Sequence, residues 1–434
     1  MSRKIVILGA GLAGLSTAYH LRNGSAVYEG QTRCGGLART EKVKGFTFDC
    51  DGHLLHFKTD YARSLVESLL PGQLVQHKRN AWVFSHNTYT RYPFQAHTYG
   101  LPTSIIKRCI LGMSEATAQY PGANGQGNLK EWMEHHFGSG ITRHFMYPYN
   151  RKFWTVPPEQ LIPDWTPAFV PLVNLRDVVD GAFAPDIRPL GYNSEFWYPK
   201  TGGMEQLVTA FTRQLPPVHT NHRVTAIDCD KRLVRFANGQ SARFTHLVSS
   251  IPLIEMARLL KPVLPRPVAQ AFRGLRYVSV YNVNLGIDRP AITDKHWIYF
   301  PEKNYCFFRV GFPMNFSYDV TPSGTSSMYV EVSYSRYRPL RRSTLARQIR
   351  KDLITAGLLR QDDRILAAQH NDIQYAYSMY DQDYRENMRI INEFLRRHDI
   401  WNAGRAGRWQ YMSMEDVLLD GQRISEEING SAAG

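Results

Sequence analysis

The run Lys4-Ile5-Val6-Ile7-Leu8 leads directly into Gly9-Ala10-Gly11-Leu12-Ala13-Gly14, and an apolar-periodic stretch continues to Leu21. An apolar strand, a G-x-G-x-x-G turn and a helix in that order restrict the start of the chain to one kind of supersecondary unit. The first glycine permits the tight turn, the second lets backbone N–H groups approach a pyrophosphate, and the third lets the helix pack on the strand. The helix N-terminus then stabilises the anion. A second short strand, Ala26-Val27-Tyr28, ends in Glu29, about 20 residues further on, where a carboxylate accepts bonds from ribose hydroxyls. The turn alone is a weak signal. With its strand, helix and acid in place it reads as a dinucleotide site built from Gly9, Gly11, Leu12, Ala13, Gly14 and Glu29.

A second glycine-rich loop, Gly35-Gly36-Leu37-Ala38-Arg39-Thr40, follows at once. Its backbone at Gly36, Leu37 and Ala38 suits close packing against a diphosphate or a ring, and its position points to FAD rather than NAD. A chain of 434 residues, 43% hydrophobic and 21% charged, buries a large core and divides into two or three lobes. The excess of 52 Lys and Arg over 38 Asp and Glu gives a formal charge of +14, which favours anionic partners without choosing among them. Five cysteines without a CxxC pair fit a reducing, cytoplasmic setting better than a disulfide scaffold.

The glycines inside the first apolar run, and the lack of a small-residue cleavage site, argue against a secretory leader. No stretch is long and apolar enough to span a membrane, which leaves a soluble protein or one with peripheral membrane contact. His135-His136 and the scattered acids lack metal-ligand spacing, so no metal is expected. Arg341-Arg342 and Arg396-Arg397 read as solvated helix faces, and no nucleic-acid-binding module is visible. Neither a GxSxG nucleophile elbow nor an HExxH helix is present.

Residues 61–190 read as helical and aromatic, with a candidate flexible loop at Gly122 to Gly127. Strands are expected at Arg223 to Asp228, Leu233 to Phe236 and His246 to Ser250, and then at Val278 to Gly286, Trp297 to Phe300, Tyr305 to Gly311 and Met328 to Tyr334. Helices are expected at Ser343 to Ala356 and Tyr384 to Arg397, with a last one after Gly404-Arg405-Ala406-Gly407. The expected fold is α/β in three parts. A discontinuous, doubly wound Rossmann-type FAD domain comes from residues near 1–60, 191–262 and 396–434, a helical lobe from 61–190, and an antiparallel sheet lobe from 263–395.

The two glycine loops with Glu29 between them resemble the large group of flavoproteins that includes amine oxidases, phytoene desaturases, protoporphyrinogen oxidase and UDP-galactopyranose mutase. Further pieces resemble the mutases in particular. They are Phe46-Thr47-Phe48-Asp49 with Gly52-His53, Tyr92-Pro93-Phe94-Gln95, Tyr149-Asn150-Arg151-Lys152-Phe153-Trp154, and Phe196-Trp197-Tyr198-Pro199-Lys200. Trp297-Ile298-Tyr299-Phe300-Pro301-Glu302 leading to Phe308-Arg309, Ala376-Tyr377-Ser378, and Asp399-Ile400-Trp401 through Gly404-Arg405-Ala406-Gly407 to Tyr411 complete the set.

The resemblance implies conversion of a nucleotide-linked hexopyranose, such as UDP-galactose or a related NDP-hexose, to its furanose form, an isomerase step in cell-surface polysaccharide biosynthesis. In that family N5 of reduced FAD attacks the anomeric carbon, and the nucleoside diphosphate leaves and later returns. The protein itself need supply no nucleophile. By the same resemblance Arg309 and Arg405 clamp the diphosphate, His53 lies beside the flavin, and Gln95 meets the base. Asn150, Trp297, Tyr299, Tyr377 and Tyr411 face the substrate, while Gly404 and Met412 join the flavin-binding set. Guanidinium groups suit the clamp because each presents paired, permanently charged donors. A lone arginine is more often a surface ion pair, and a lone tyrosine more often a core aromatic, a reading that stays open for Tyr377.

Three departures stand out. Asp51 replaces a glycine of the flavin loop, the GRFG of the family is GRAG here, and Phe169 occupies the place of an expected arginine. Arg176 is about two helical turns further on and cannot take over. A second reading therefore stays open, an FAD-dependent oxidoreductase of the amine oxidase or desaturase type. The sugar, the base, the flavin reductant and the oligomeric state are not fixed by the sequence.

Overall fold

The computed structural model describes residues 4–22, 24–122, 127–185, 190–191 and 193–430. The candidate flexible loop falls for the most part on residues 123–126, outside the described residues.

Four short apolar strands form a parallel sheet in the order Ile400–Asn402, His246–Ser249, Ile5–Leu8, Ser25–Tyr28. Ile5 pairs with His246 on one side and with Ser25 on the other. The chain therefore departs in opposite directions from the carboxyl end of Ile5–Leu8, and ligand crevices in open α/β sheets form at such a switch point. The helix Leu12–Leu21 covers the sheet and crosses the C-terminal helix Met414–Gly430. Their close approach depends on Gly421, where a Cβ would lie 2.6 Å from Ser16 Oγ, a hydroxyl that itself donates to the carbonyl of Leu418 at 2.7 Å.

The second large element is a seven-stranded sheet in the order Ile365–Ser378, Tyr277–Ile287, Ser326–Tyr334, Arg309–Gly311, Trp297–Tyr299, Ala81–Ser85, Thr88–Arg91. Its pairs are antiparallel except where Ala81–Ser85 meets Trp297–Tyr299. A helical group follows, in which Thr103–Gln119 packs on Leu129–Ile141. The backbones nearly touch, since a Cβ on Gly138 would stand 2.0 Å from the Gly112 carbonyl. The second of these helices starts with a reciprocal Asn128–Glu131 capping box and continues through a π-helical turn into Tyr147–Trp154.

The helices expected near 343–356 and 384–397 are found at Arg342–Thr355 and Tyr384–Arg397. Three local expectations need correction. Residues 74–91, read as part of a helical stretch, contain the strands Leu74–Lys78, Ala81–Ser85 and Thr88–Arg91. The hairpin between the last two turns at His86 and Asn87, both with positive φ. A two-residue turn of that kind ordinarily announces itself by glycine, and here it does not. The strand expected at Tyr305 to Gly311 is confined to Arg309–Gly311. The fourteen-residue edge strand Ile365–Ser378 was not foreseen, because Gln369-His370-Asn371-Asp372 interrupts its apolar pattern.

Candidate active site

A cavity of about 880 Å3 opens between the parallel sheet, the seven-stranded sheet and the helical group. Its first wall is the glycine turn. Gly9 has φ +94°, and the carbonyl of Gly9 would be 2.0 Å from a Cβ on Gly14. Gly14 thus stands behind the turn rather than on the cavity surface, where Gly9, Gly11, Leu12 and Ala13 are found. The second glycine loop supports the first: Gly35 N donates to the Ala10 carbonyl at 2.8 Å, and a Cβ on Gly36 would meet Gly11 Cα at 3.3 Å. Glu29 Oε2 accepts from Ala10 N at 2.7 Å and Oε1 from Gln31 N at 2.9 Å, so the acid ties the turn to the end of the second strand.

Gly36, Leu37, Ala38, Gly404 and Met412 line the same end of the cavity. Gly404 has φ +66°, and a Cβ there would meet Ala13 Cβ at 2.4 Å, so the closing loop is pressed onto the first helix. Asp420 Oδ2 accepts from Gly404 N at 2.8 Å and holds it.

The opposite wall is backed by a polar row across five neighbouring strands, of which Asn371, Arg309 and Tyr299 line the cavity. Asn371 pairs with Asn282, Asn282 with Glu331, Glu331 with Arg309, and Arg309 with Tyr299. Residues directly opposite in adjacent strands share a face, so register alone lines up side chains from four distant parts of the chain. Arg309 and Glu331 form a bidentate pair, Nη2 to Oε1 at 2.8 Å with a second bond from Nε to Oε2. Glu331 is fully buried, and burial pushes its carboxyl up to about 8 against the opposing pull of Arg309. Glu331 and its neighbour Tyr329 had no sequence signal beyond an acid within an apolar strand. Tyr329 lies over Gly52, where a Cβ would meet its hydroxyl at 2.3 Å.

Arg405 comes from the short helix Gly404–Gly407. It donates from Nη2 to the Ala376 carbonyl at 2.8 Å and stands 4.3 Å from the Tyr377 ring centroid and 4.9 Å from that of Tyr411. The two tyrosine rings are stacked at 5.4 Å. Arg405 Nε is buried without a partner, as are His53 Nδ1, Gln95 Oε1 and Trp297 Nε1. All four residues line the cavity. Unmet buried donors and acceptors carry a free-energy cost that a polar ligand relieves. Burial lowers the affinity of the His53 ring for a proton, opposed by Asp51 and Asp49. Asn150 also lines the cavity, but its amide is engaged locally, donating to the Met146 carbonyl at 2.9 Å and accepting from Trp154 Nε1 at 3.2 Å.

Lys152, quoted only as part of a longer match, positions this wall. Its buried ammonium donates to the carbonyls of Phe300 at 2.6 Å, Phe307 at 3.1 Å and Glu302, tying together the loop that joins the Tyr299 and Arg309 strands. Phe169 ends the short helix Thr166–Phe169, and Arg176 belongs to a separate helix, Leu175–Phe183. Phe169 presents its ring to the cavity beside Trp165 and Tyr411.

The doubly wound sheet, the paired glycine loops and the cradle of close backbone approaches define an FAD-dependent protein. The sequence model of the flavin containing amine oxidoreductase family matches residues 12–367, and the chain belongs to that family. Among its relatives, the L-amino acid oxidase bordonein-L of Crotalus durissus terrificus is 26% identical over 336 residues, covering 70% of this chain and 64% of that protein. An L-amino-acid oxidase of Crotalus adamanteus is 26% identical over 318 residues, covering 68% and 59%. The chain thus spans less than two thirds of the length of these oxidases. A crystal structure of reduced UDP-galactopyranose mutase superposes with a TM-score of 0.93 at 26% identity, covering 100% of this chain and 95% of the other. Putrescine oxidase bound to putrescine gives a TM-score of 0.68 at 17% identity over 99% of both chains, a likeness of fold. Among the described residues no helix is long and apolar enough to cross a membrane.

Proposed function

We propose that the protein is a flavin-dependent mutase that interconverts the pyranose and furanose forms of a nucleotide sugar, UDP-galactose or a related NDP-hexose. The observation that carries this reading is the convergence of Arg309 and Arg405, from separate segments, on one cavity that also holds the glycine cradle. The whole-length likeness to a structure of reduced UDP-galactopyranose mutase supports it. Gly9, Gly11, Leu12, Ala13, Glu29, Gly36, Leu37, Ala38, Gly404 and Met412 would hold FAD, with Gly14 supporting the turn. Reduced flavin would supply the nucleophile for the anomeric carbon.

The chain's own task is then positioning and electrostatics. Arg309 and Arg405 receive the departing diphosphate, with Tyr299, Tyr377 and Tyr411 as neighbouring phenols. Gln95 Oε1, buried and unpartnered, is available to an N–H of the base. His53 faces the flavin as a neutral ring.

A second reading, an FAD-dependent oxidoreductase of the amine oxidase type, is favoured by the family and by Phe169, which gives the cavity an aromatic patch in place of a cation. Chromatography of UDP-galactopyranose and a panel of other nucleotide sugars, incubated with dithionite-reduced and with oxidised protein, separates the two. Furanose formed only in the reduced arm is the expected result. No product in either arm, with flavin reduced by an amine, would assign the chain to the oxidoreductases.

A further inference from the structure

Asp51 is the residue by which the flavin loop departs from the mutase pattern, and its carboxyl is built into the polar row described above. Asp51 Oδ1 accepts from its neighbour Gly52 N at 2.9 Å and from Asn282 Nδ2 at 3.0 Å. Asn282 is the strand partner of Glu331 and also accepts from Asn371 Nδ2 at 3.3 Å. Asp51 therefore sits over the Asn282–Glu331 pair, close enough that its carboxyl, as a like charge and a hydrogen-bonding neighbour, strengthens the hold of Glu331 on a proton. Both Glu331 oxygens already accept from Arg309. A carboxyl-to-carboxyl bond needs a proton between the two acids, because ionised carboxylates only accept.

Charge leads to the same conclusion. Two carboxylates against the one guanidinium of Arg309 would leave a net negative charge buried on the wall that is to meet a diphosphate. One shared proton makes the trio neutral, and like-charged carboxylates in contact retain such a proton. We propose that Asp51 and Glu331 share one buried proton at neutral pH, and that Asp51 is a positioning residue which through this proton sets the charge Arg309 presents to an anionic ligand.

Among the described residues, the surroundings offer no other group to take that role. His53 lies next to the cluster, where Asp51 and Asp49 act on it as anions and Arg405 and Arg309 as cations. The Asp49 carboxyl is occupied by Thr40, Tyr198 and Met204 N. Burial lowers the affinity of the His53 ring for a proton and pushes the Cys50 thiol up to about 12. The nearby phenols Tyr329 and Tyr377 are held protonated by burial. Loss of the shared proton to solvent, as pH rises, therefore turns a neutral trio into an anionic one.

The effect on nucleotide rests on the mutase reading; the proton itself does not. The test compares wild type, Asp51→Asn and Asp51→Gly, each with FAD bound, from about pH 6 to about pH 9. Infrared difference spectra report protonated carboxyl, and quenching of tryptophan fluorescence reports UDP binding. In Asp51→Asn the amide N–H replaces the shared proton permanently, while the amide oxygen keeps the bonds from Gly52 and Asn282.

Wild type is expected to lose one protonated-carboxyl band as pH rises, and to lose at least about tenfold in UDP affinity over the same range. Asp51→Asn should lack that band and hold its affinity within about twofold, and Asp51→Gly should likewise show a flattened profile. A wild type without the band, or an Asp51→Asn profile that follows wild type, overturns the proposal. A band that titrates as expected with no UDP bound at any pH sustains the shared proton and overturns the nucleotide reading instead.

Discussion

Phe169 meets Tyr411 edge-on, with ring centroids 4.3 Å apart and planes at 80°. Tyr411 is in turn stacked on Tyr377, and the Arg405 guanidinium lies over both rings. The residue that stands where an arginine was expected is thus packed into the same aromatic group that holds Arg405. Phe169→Arg should place a second guanidinium beside Arg405. Without ligand the two cations repel, so thermal stability should fall slightly. With UDP present the added charge should tighten binding about tenfold, equivalent to about 1.4 kcal/mol. A thermal melt reads the first effect and calorimetric titration the second, and unchanged or weaker UDP binding would show that Phe169 does not occupy a phosphate position.

Arg309→Ala and Arg405→Ala should each weaken UDP binding by about 2 kcal/mol or more, roughly thirtyfold, with FAD still bound. Arg309→Ala carries an extra cost, because it strands the buried Glu331 carboxyl. Flavin absorbance after gel filtration and UDP titration together check the point. Loss of flavin with unchanged UDP affinity would contradict the assignment.

Gly14→Ala should act on the cofactor end alone. The added methyl meets the Gly9 carbonyl at 2.0 Å, which is backbone and cannot swing aside. The turn must open or the helix Leu12–Leu21 must move away, at a cost of about 1–3 kcal/mol. Purified protein should carry substoichiometric flavin and melt at lower temperature. Full flavin occupancy with an unaltered melt would remove the turn from the cofactor site.

Acid should destabilise the fold through His296. Burial, with His77 adding to it, lowers this imidazole to about 4. Its Nδ1 accepts from Asn80 N at 3.0 Å, which only an unprotonated nitrogen can do. The unfolded chain binds this proton near pH 6.5 and the folded chain near 4. The contribution is therefore present above about pH 6.5 and is lost as pH falls toward 4, on the order of 3 kcal/mol in full. His56, also lowered to about 4 by burial, steepens the same slope. Melting temperatures measured from about pH 7 to about pH 4.5 should fall, and less steeply in His296→Asn, whose amide oxygen replaces the Nδ1 acceptor. Equal slopes in the two proteins would rule out His296 as a source.

By itself the sequence determined the parts whose causes are local. Turn, helix start and strand around Gly9 to Gly14 follow from backbone freedom at glycine and from apolar periodicity, and these act between near neighbours. Helix ends at Tyr384–Arg397 were legible for the same reason. The hairpin at His86-Asn87 and the polar edge strand Ile365–Ser378 were not, because their local signals are weak and pairing with neighbouring strands holds them in place. Tertiary structure alone decided that Glu331 stands between Asn282 and Arg309, that Asp51 sits over that pair, and that Lys152 ties the Phe300–Phe307 loop. Strand register is set by the packing of whole faces, and a shift by one residue would turn Asn282, Glu331 or Arg309 to the opposite side of the sheet.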